Sequence, residues 1–185
     1  MLVSLHTTVY PREESWEDLQ KRIPELYRQG KVEEVIKTAE RAVKVAEEEF
    51  GPENSNVAVS YENLASLYVL QGKQAEAVPL LEGVVKIYEK VNGPYDVSVF
   101  SALKNLAGAY FALGRYGEVE GLLDRQVTIV DTAFDPDHPG TTTLLEEIAE
   151  TYRVIGKVEK AATLEVRVQA NRDKRDPAAL GLDSS

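Results

Sequence analysis

The sequence predicts an all-α solenoid of antiparallel helix pairs, with about four repeats and roughly eight helices. Three observations carry that expectation. Gly30, Gly72, Gly114 and Gly156 recur every 42 residues, each followed by a base (Lys31, Lys73, Arg115, Lys157). A tyrosine stands four residues before three of them (Tyr68, Tyr110, Tyr152), and Leu26 fills that slot in the first copy. The links Gly51-Pro52, Gly93-Pro94 and Asp135-Pro136 keep the same period. A long fixed period marks stacked supersecondary units, each burying its apolar face only against its neighbours.

Residues 1–14 read as an N-terminal arm, because Leu2 to Tyr10 is not helix-like and precedes Pro11. The arm is expected to pack on the first copy as an extended segment, or alternatively to dock in the groove as a peptide. The solenoid spans 15–174, in repeats 15–52, 53–94, 95–136 and 137–174. Copy one opens at Ser15, an N-cap three residues before Asp18, and Pro24 is expected to kink its first helix.

In copy two, Val57, Tyr61, Leu64, Ala65 and Tyr68 form one helical stripe. Val99, Leu103, Leu106, Ala107 and Tyr110 repeat it, as do Leu145, Ile148, Ala149 and Tyr152. Each glycine supplies the left-handed residue that ends a helix. The second helices then carry Ala77, Leu80, Leu81, Val84, Ile87 and Tyr88, and Val119, Leu122, Leu123, Ile129 and Val130. Ala65, Ala107 and Ala149 let the two helices of a hairpin approach. Gln126 occupies a small-residue slot. In the last helix Glu165 and Asn171 stand where earlier copies have Leu81, Leu123, Ile87 and Ile129, so one face is expected to turn polar as a cap. Residues 175–185 read as a disordered tail.

The net charge of −10 and pI near 4.8 make the chain a poor partner for nucleic acid, which is held by neutralising phosphates. No run of about 18 apolar residues exists to span a bilayer, and Met1 to Tyr10 lacks the pattern of a signal peptide. A cytoplasmic location is the default expectation. With no cysteine, thiolate zinc sites and cysteine nucleophiles are excluded. The two histidines, His6 and His138, belong to no catalytic constellation, and Asp135, Asp137 and His138 read as a turn rather than a metal site. No enzymatic activity and no cofactor are expected.

The run Asn63-Leu64-Ala65-x-x-Tyr68-x-x-x-Gly72-Lys73, repeated at Asn105-Leu106-Ala107-x-x-Tyr110-x-x-x-Gly114-Arg115, resembles the tetratricopeptide repeat. Its 42-residue period is similar to that of the kinesin light chain class, whose Pro-Asp-His-Pro run appears here only at Pro136 to Pro139. The resemblance implies a right-handed superhelix with a concave groove lined by the first helix of each repeat. It implies a non-enzymatic adaptor or scaffold that holds an extended or short helical segment of a protein partner. The alternatives are a structural subunit of an assembly and the sensor part of a larger regulator; a monomer or weak dimer is favoured.

By the same resemblance the groove residues are Lys21 and Tyr27 in copy one, and Glu62, Asn63 and Ser66 in copy two. Lys104, Asn105 and Phe111 follow in copy three, and Glu146, Glu147, Glu150 and Arg153 in copy four. Asn63 and Asn105 are the leading candidates, because an amide both donates and accepts and so pairs with a peptide backbone of any sequence. The clustered Glu146, Glu147 and Glu150, only partly offset by Arg153, would favour a basic segment in the partner.

Overall fold

The computed structural model describes residues 14–175, with Arg175 described by its backbone alone. The expectations for the arm and for the tail beyond Arg175 lie outside the described residues. Eight α-helices follow one another: α1 (Trp16–Arg28), α2 (Val32–Phe50), α3 (Ser55–Leu70), α4 (Gln74–Asn92), α5 (Val97–Ala112), α6 (Tyr116–Ala133), α7 (Pro139–Val154) and α8 (Val158–Arg175). Each packs on its predecessor and its successor, as antiparallel pairs joined by short turns require. No strand occurs among the described residues.

Each first helix starts on a side-chain cap, supplied by Ser15, Asn54, Asp96 and His138. Ser15 and Asp18 complete the predicted capping box. His138 accepts from the Gly140 backbone N–H at 3.0 Å, and Asp135 Oδ1 accepts from that of Asp137 at 2.9 Å. These residues therefore serve the start of α7. Helix α1 runs unbroken through Pro24, whose ring lies on the exposed side, and α4 likewise runs through Pro79.

Gly72 shows how each hairpin closes. Its φ of +73° is left-handed, and the next N–H, that of Lys73, donates back to the Tyr68 carbonyl at 2.9 Å. The bonds of Arg115 to Tyr110 and of Lys157 to Tyr152 repeat this at 2.9 and 2.8 Å. The tyrosine thus anchors the turn by its carbonyl, while its hydroxyl does something else.

That hydroxyl crosses to the preceding repeat. Tyr68 donates to Glu40 at 3.0 Å, Tyr110 to Glu82 at 2.5 Å and Tyr152 to Asp124 at 2.6 Å, each pair 28 residues apart. A cation covers each ring: Lys73 over Tyr68, Arg115 over Tyr110 and Lys160 over Tyr152. The acids share the 42-residue period, and the fourth position of that series is Val166, which is 72% exposed. The rung series therefore stops at α8, as it began with Leu26 in place of a tyrosine.

The second helices carry a parallel ladder. Arg125 pairs with Glu89, and Arg167 with Asp131. At the corresponding place in copy two stands Gly83, and the Tyr61 ring fills the space; a Cβ there would come within 2.7 Å of Tyr61 Cε2. The Tyr61 hydroxyl then donates to Glu47 at 2.6 Å, taking the role an arginine has further along. The core takes in most of the predicted stripe: Val57, Leu64, Ala65, Val99, Leu103, Leu106, Ala107, Leu145, Ile148 and Ala149 are all buried, while Tyr61 and Tyr68 are partly buried against it. The polar face expected of α8 forms only in part. Glu165 pairs with Arg153, but Asn171 is buried and its amide nitrogen has no partner among the described residues.

Two outcomes follow from the rungs. Tyr152→Phe removes a buried donor while Asp124 keeps Lys160, so the loss in urea unfolding is expected to be about 1–2 kcal/mol; a change near zero would deny the rung its role. The second concerns alkali. Burial, with help from Glu47 and Glu62 respectively, pushes Tyr61 and Tyr88 up to about 12, and Tyr68, Tyr110 and Tyr152 are raised as well. Folded tyrosines thus keep protons that the unfolded chain releases above its ordinary value of 10.0. That stabilisation is complete below pH 10.0 and is lost as pH rises toward about 12. The melting temperature should fall steadily over that interval, and a level profile would contradict it.

Candidate functional site

The face shared by the first helices is built from two positions per repeat, one occupied by Gln20, Glu62, Lys104 and Glu146, the next by Lys21, Asn63, Asn105 and Glu147. A residue of the first series faces the second-series residue one repeat on. Asn63 Nδ2 donates to Gln20 Oε1 at 2.9 Å, and Lys104 pairs with Glu147 at 2.5 Å. The middle rung, Glu62 to Asn105, is not made. Glu62 instead accepts from the Tyr88 hydroxyl at 3.0 Å, and its burial raises its pKa despite that bond. Asn105 is left exposed, without a hydrogen bond to any described residue.

This separates two amides that look equivalent in the sequence. Asn63 is half-buried and committed to Gln20, which also donates to Ser60 at 3.3 Å beside the Trp16 indole N–H at 2.7 Å. Asn105 has its whole hydrogen-bonding capacity free. The acidic cluster is also resolved differently from expectation. Glu146 pairs with Arg172, Glu147 with Lys104, and Glu150 with Arg153 at 3.3 Å. A basic segment would have to displace these partners, so the cluster is no open acidic face.

The remaining predicted residues fall into two places. Lys21 and Ser66 are exposed on α1 and α3. Tyr27 lies at the turn edge, where with Val32, Leu67 and Leu70 it borders a cleft of about 190 Å³. Phe111 is 36% exposed and stacks obliquely on Tyr116, ring centroids 5.5 Å apart.

Lys104, Phe111, Glu147 and Glu150 come together around a cleft of about 310 Å³ between α5 and α7. Its walls are Phe100, Ala107 and Phe111 on one side and Ile148, Thr151 and Val154 on the other, over a floor of Leu123 and Gln126 from α6. Gly108 also lines the cleft, and a Cβ added there would meet nothing within 4 Å. In the same position copy two has Ser66 and copy four Glu150.

Gln126 is the residue whose importance the sequence left unstated. It is 2% exposed, and its Nε2 has no hydrogen-bond partner among the described residues. Its slot holds Ala42, Val84 and Val168 in the other copies. A buried amide donor left unpaired costs about 1–3 kcal/mol. The signal was visible as a single polar break in a column of apolar residues, but only depth could show that the amide is stranded.

The model of the tetratricopeptide repeat matches residues 26–90 and 98–174, most of the chain. The chain belongs to the tetratricopeptide repeat family. A Podosopora anserina protein described as a kinesin light chain with nearly identical tetratricopeptide-like repeats superposes with a TM-score of 0.71 at 28% identity, covering 85% of this chain and 75% of that one. BtubC (BKLC) from P. vanneervenii gives a TM-score of 0.69 at 18% identity, over 92% of this chain and 66% of its own. The apo form of RapI gives 0.66 at 16% identity, over 92% and 60%. These last two share the fold. No curated protein sequence matches. Among the described residues of this tetratricopeptide repeat protein, no helix is long and apolar enough to cross a membrane.

Gln126→Leu keeps the side-chain volume and removes the stranded donor. It should raise stability by about 1–2 kcal/mol in denaturant titration. A destabilised variant would mean that the amide is satisfied in solution.

Proposed function

We propose that the chain is a non-enzymatic adaptor that holds an extended or short helical segment of a protein partner along the face of α1, α3, α5 and α7. The observation that carries this reading is the pairing of an unspent amide with an open apolar cleft. Asn105 can take a partner's backbone, and the cleft between α5 and α7 can take a side chain. Membership of a family whose members typically act as scaffolds points the same way. The net charge of −10 would speed the approach of a partner with a basic segment, while the local ion pairs limit how much such a segment adds once bound.

The test compares quantitative capture from a native lysate on immobilised protein. Asn105→Ala combined with Gly108→Leu, which fills the cleft mouth from an open position, should lower recovery of specific partners about tenfold or more. Arg125→Ala, on the second-helix ladder, should leave recovery intact. Partners kept by the first variant and lost by the second would move the binding surface to the second helices.

A further inference from the structure

Each second helix before the last hands its outer face to the next repeat. On α4 that face buries Val78 and sets Glu82 against Tyr110. Helix α8 has no successor among the described residues, and its matching ridge is uncovered and carries no charge. Val158, Ala162, Val166 and Ala170 stand exposed at four-residue spacing along it. Val166 holds the place of Glu40, Glu82 and Asp124, and Ala170 that of Lys44, Lys86 and Thr128. A ridge left to water has no cause to shed those polar groups. We infer that this ridge is a self-association surface, on which α8 of a second copy packs antiparallel about a two-fold axis.

The ridge is complementary to itself. Antiparallel pairing centred between Ala162 and Val166 sets Val158 level with Ala170 of the second copy, and Ala162 level with its Val166. A larger side chain meets a smaller one at each level, and the contact closes on itself. Ridges of four-residue spacing also interlock with their own kind in the commonest class of helix packing. Glu159 and Lys174, both exposed, flank the ridge near opposite ends of α8. Antiparallel pairing brings the acid of one copy toward the base of the other, whereas parallel pairing would set valine on valine and like charge beside like.

Stacking of a further repeat on this end is opposed. Glu165 and Arg172 stand where copy three buries Leu123 and Val130, and they pair with Arg153 and Glu146 across the groove between α7 and α8. Copy one of another chain would bring Leu26, already buried, in place of the tyrosine that bonds a preceding copy. A single ridge on an 18-residue helix falls short of the about 800 Å² per partner of a standard stable interface, so the dimer is a reversible one.

Sedimentation velocity on the full-length chain, from about 5 µM to about 1 mM, tests this. The mass is expected to rise from 20.5 kDa toward twice that value, with a midpoint on the order of 100 µM. Val166→Glu, which returns the acid of the inner copies to an exposed position, should hold the protein monomeric throughout. Leu70→Ser, at an exposed site on the turn edge, should leave the rise unchanged. A monomer at every concentration, or a rise that survives Val166→Glu, would overturn the inference. Growth beyond twice the monomer mass would point to head-to-tail stacking instead. A rise seen only in Leu180→Ser/Leu182→Ser would assign the ridge to the chain's own C-terminal residues and overturn the second copy as occupant. Orientation is read by crosslinking, since the chain has no cysteine of its own. Under mild oxidation a mixture of Val158→Cys and Ala170→Cys proteins should form a disulfide-linked dimer, and neither should do so alone. Linkage of each variant to itself, with none between them, would refute the antiparallel arrangement.

Discussion

One hydrogen bond, made three times, sets how the repeats sit on each other. Burial of aliphatic side chains drives stacking but has little directional preference. The tyrosine hydroxyl aimed at an acid 28 residues earlier fixes the register of each helix pair on the one before it. The same residue closes its hairpin through its carbonyl, so turn geometry and junction geometry are fixed at a single position. A cation over each ring offsets the charge of the carboxylate near the hydroxyl. Where one component is missing, the neighbours adjust: Gly83 has no arginine to offer Glu47, and Tyr61 takes its place.

With register so fixed, differences among copies at the first-helix face are free to carry function. The face is not uniform. At the first junction Gln20, Ser60, Asn63 and Trp16 bond to one another and close the surface. At the second, Glu62 turns away to Tyr88 and frees Asn105. At the third, a salt bridge spans the rim of an apolar cleft with a stranded amide at its base. The N-terminal half of this face is stiffened by internal bonds, and the C-terminal half holds the unsatisfied groups.

The fold was legible because its signals are local and repeated. Glycine, tyrosine and proline at one period report turns and junctions without any knowledge of depth. The acids Glu40, Glu82 and Asp124 keep that period too, yet among so many exposed acids nothing local distinguishes them. The site was legible only as a set of groove positions. Asn63 and Asn105 share a motif and differ in what lies opposite, which is set by packing 43 residues away. Glu146, Glu147 and Glu150 look like an unpaired acidic patch because Arg172 and Lys104 approach from other elements. Asn171 reads as a surface residue and is buried.

Val166 gives the array a grammar. Inner copies carry both halves of the junction, a tyrosine for the copy before and an acid for the copy after. Copy one lacks the first half and copy four the second. A 42-residue duplication inside the array therefore brings its own matching junction with it, whereas a unit appended after α8 would present a tyrosine to a valine. Such a chain can grow from its middle by gene duplication, lengthening its first-helix face while copies one and four stay as they are.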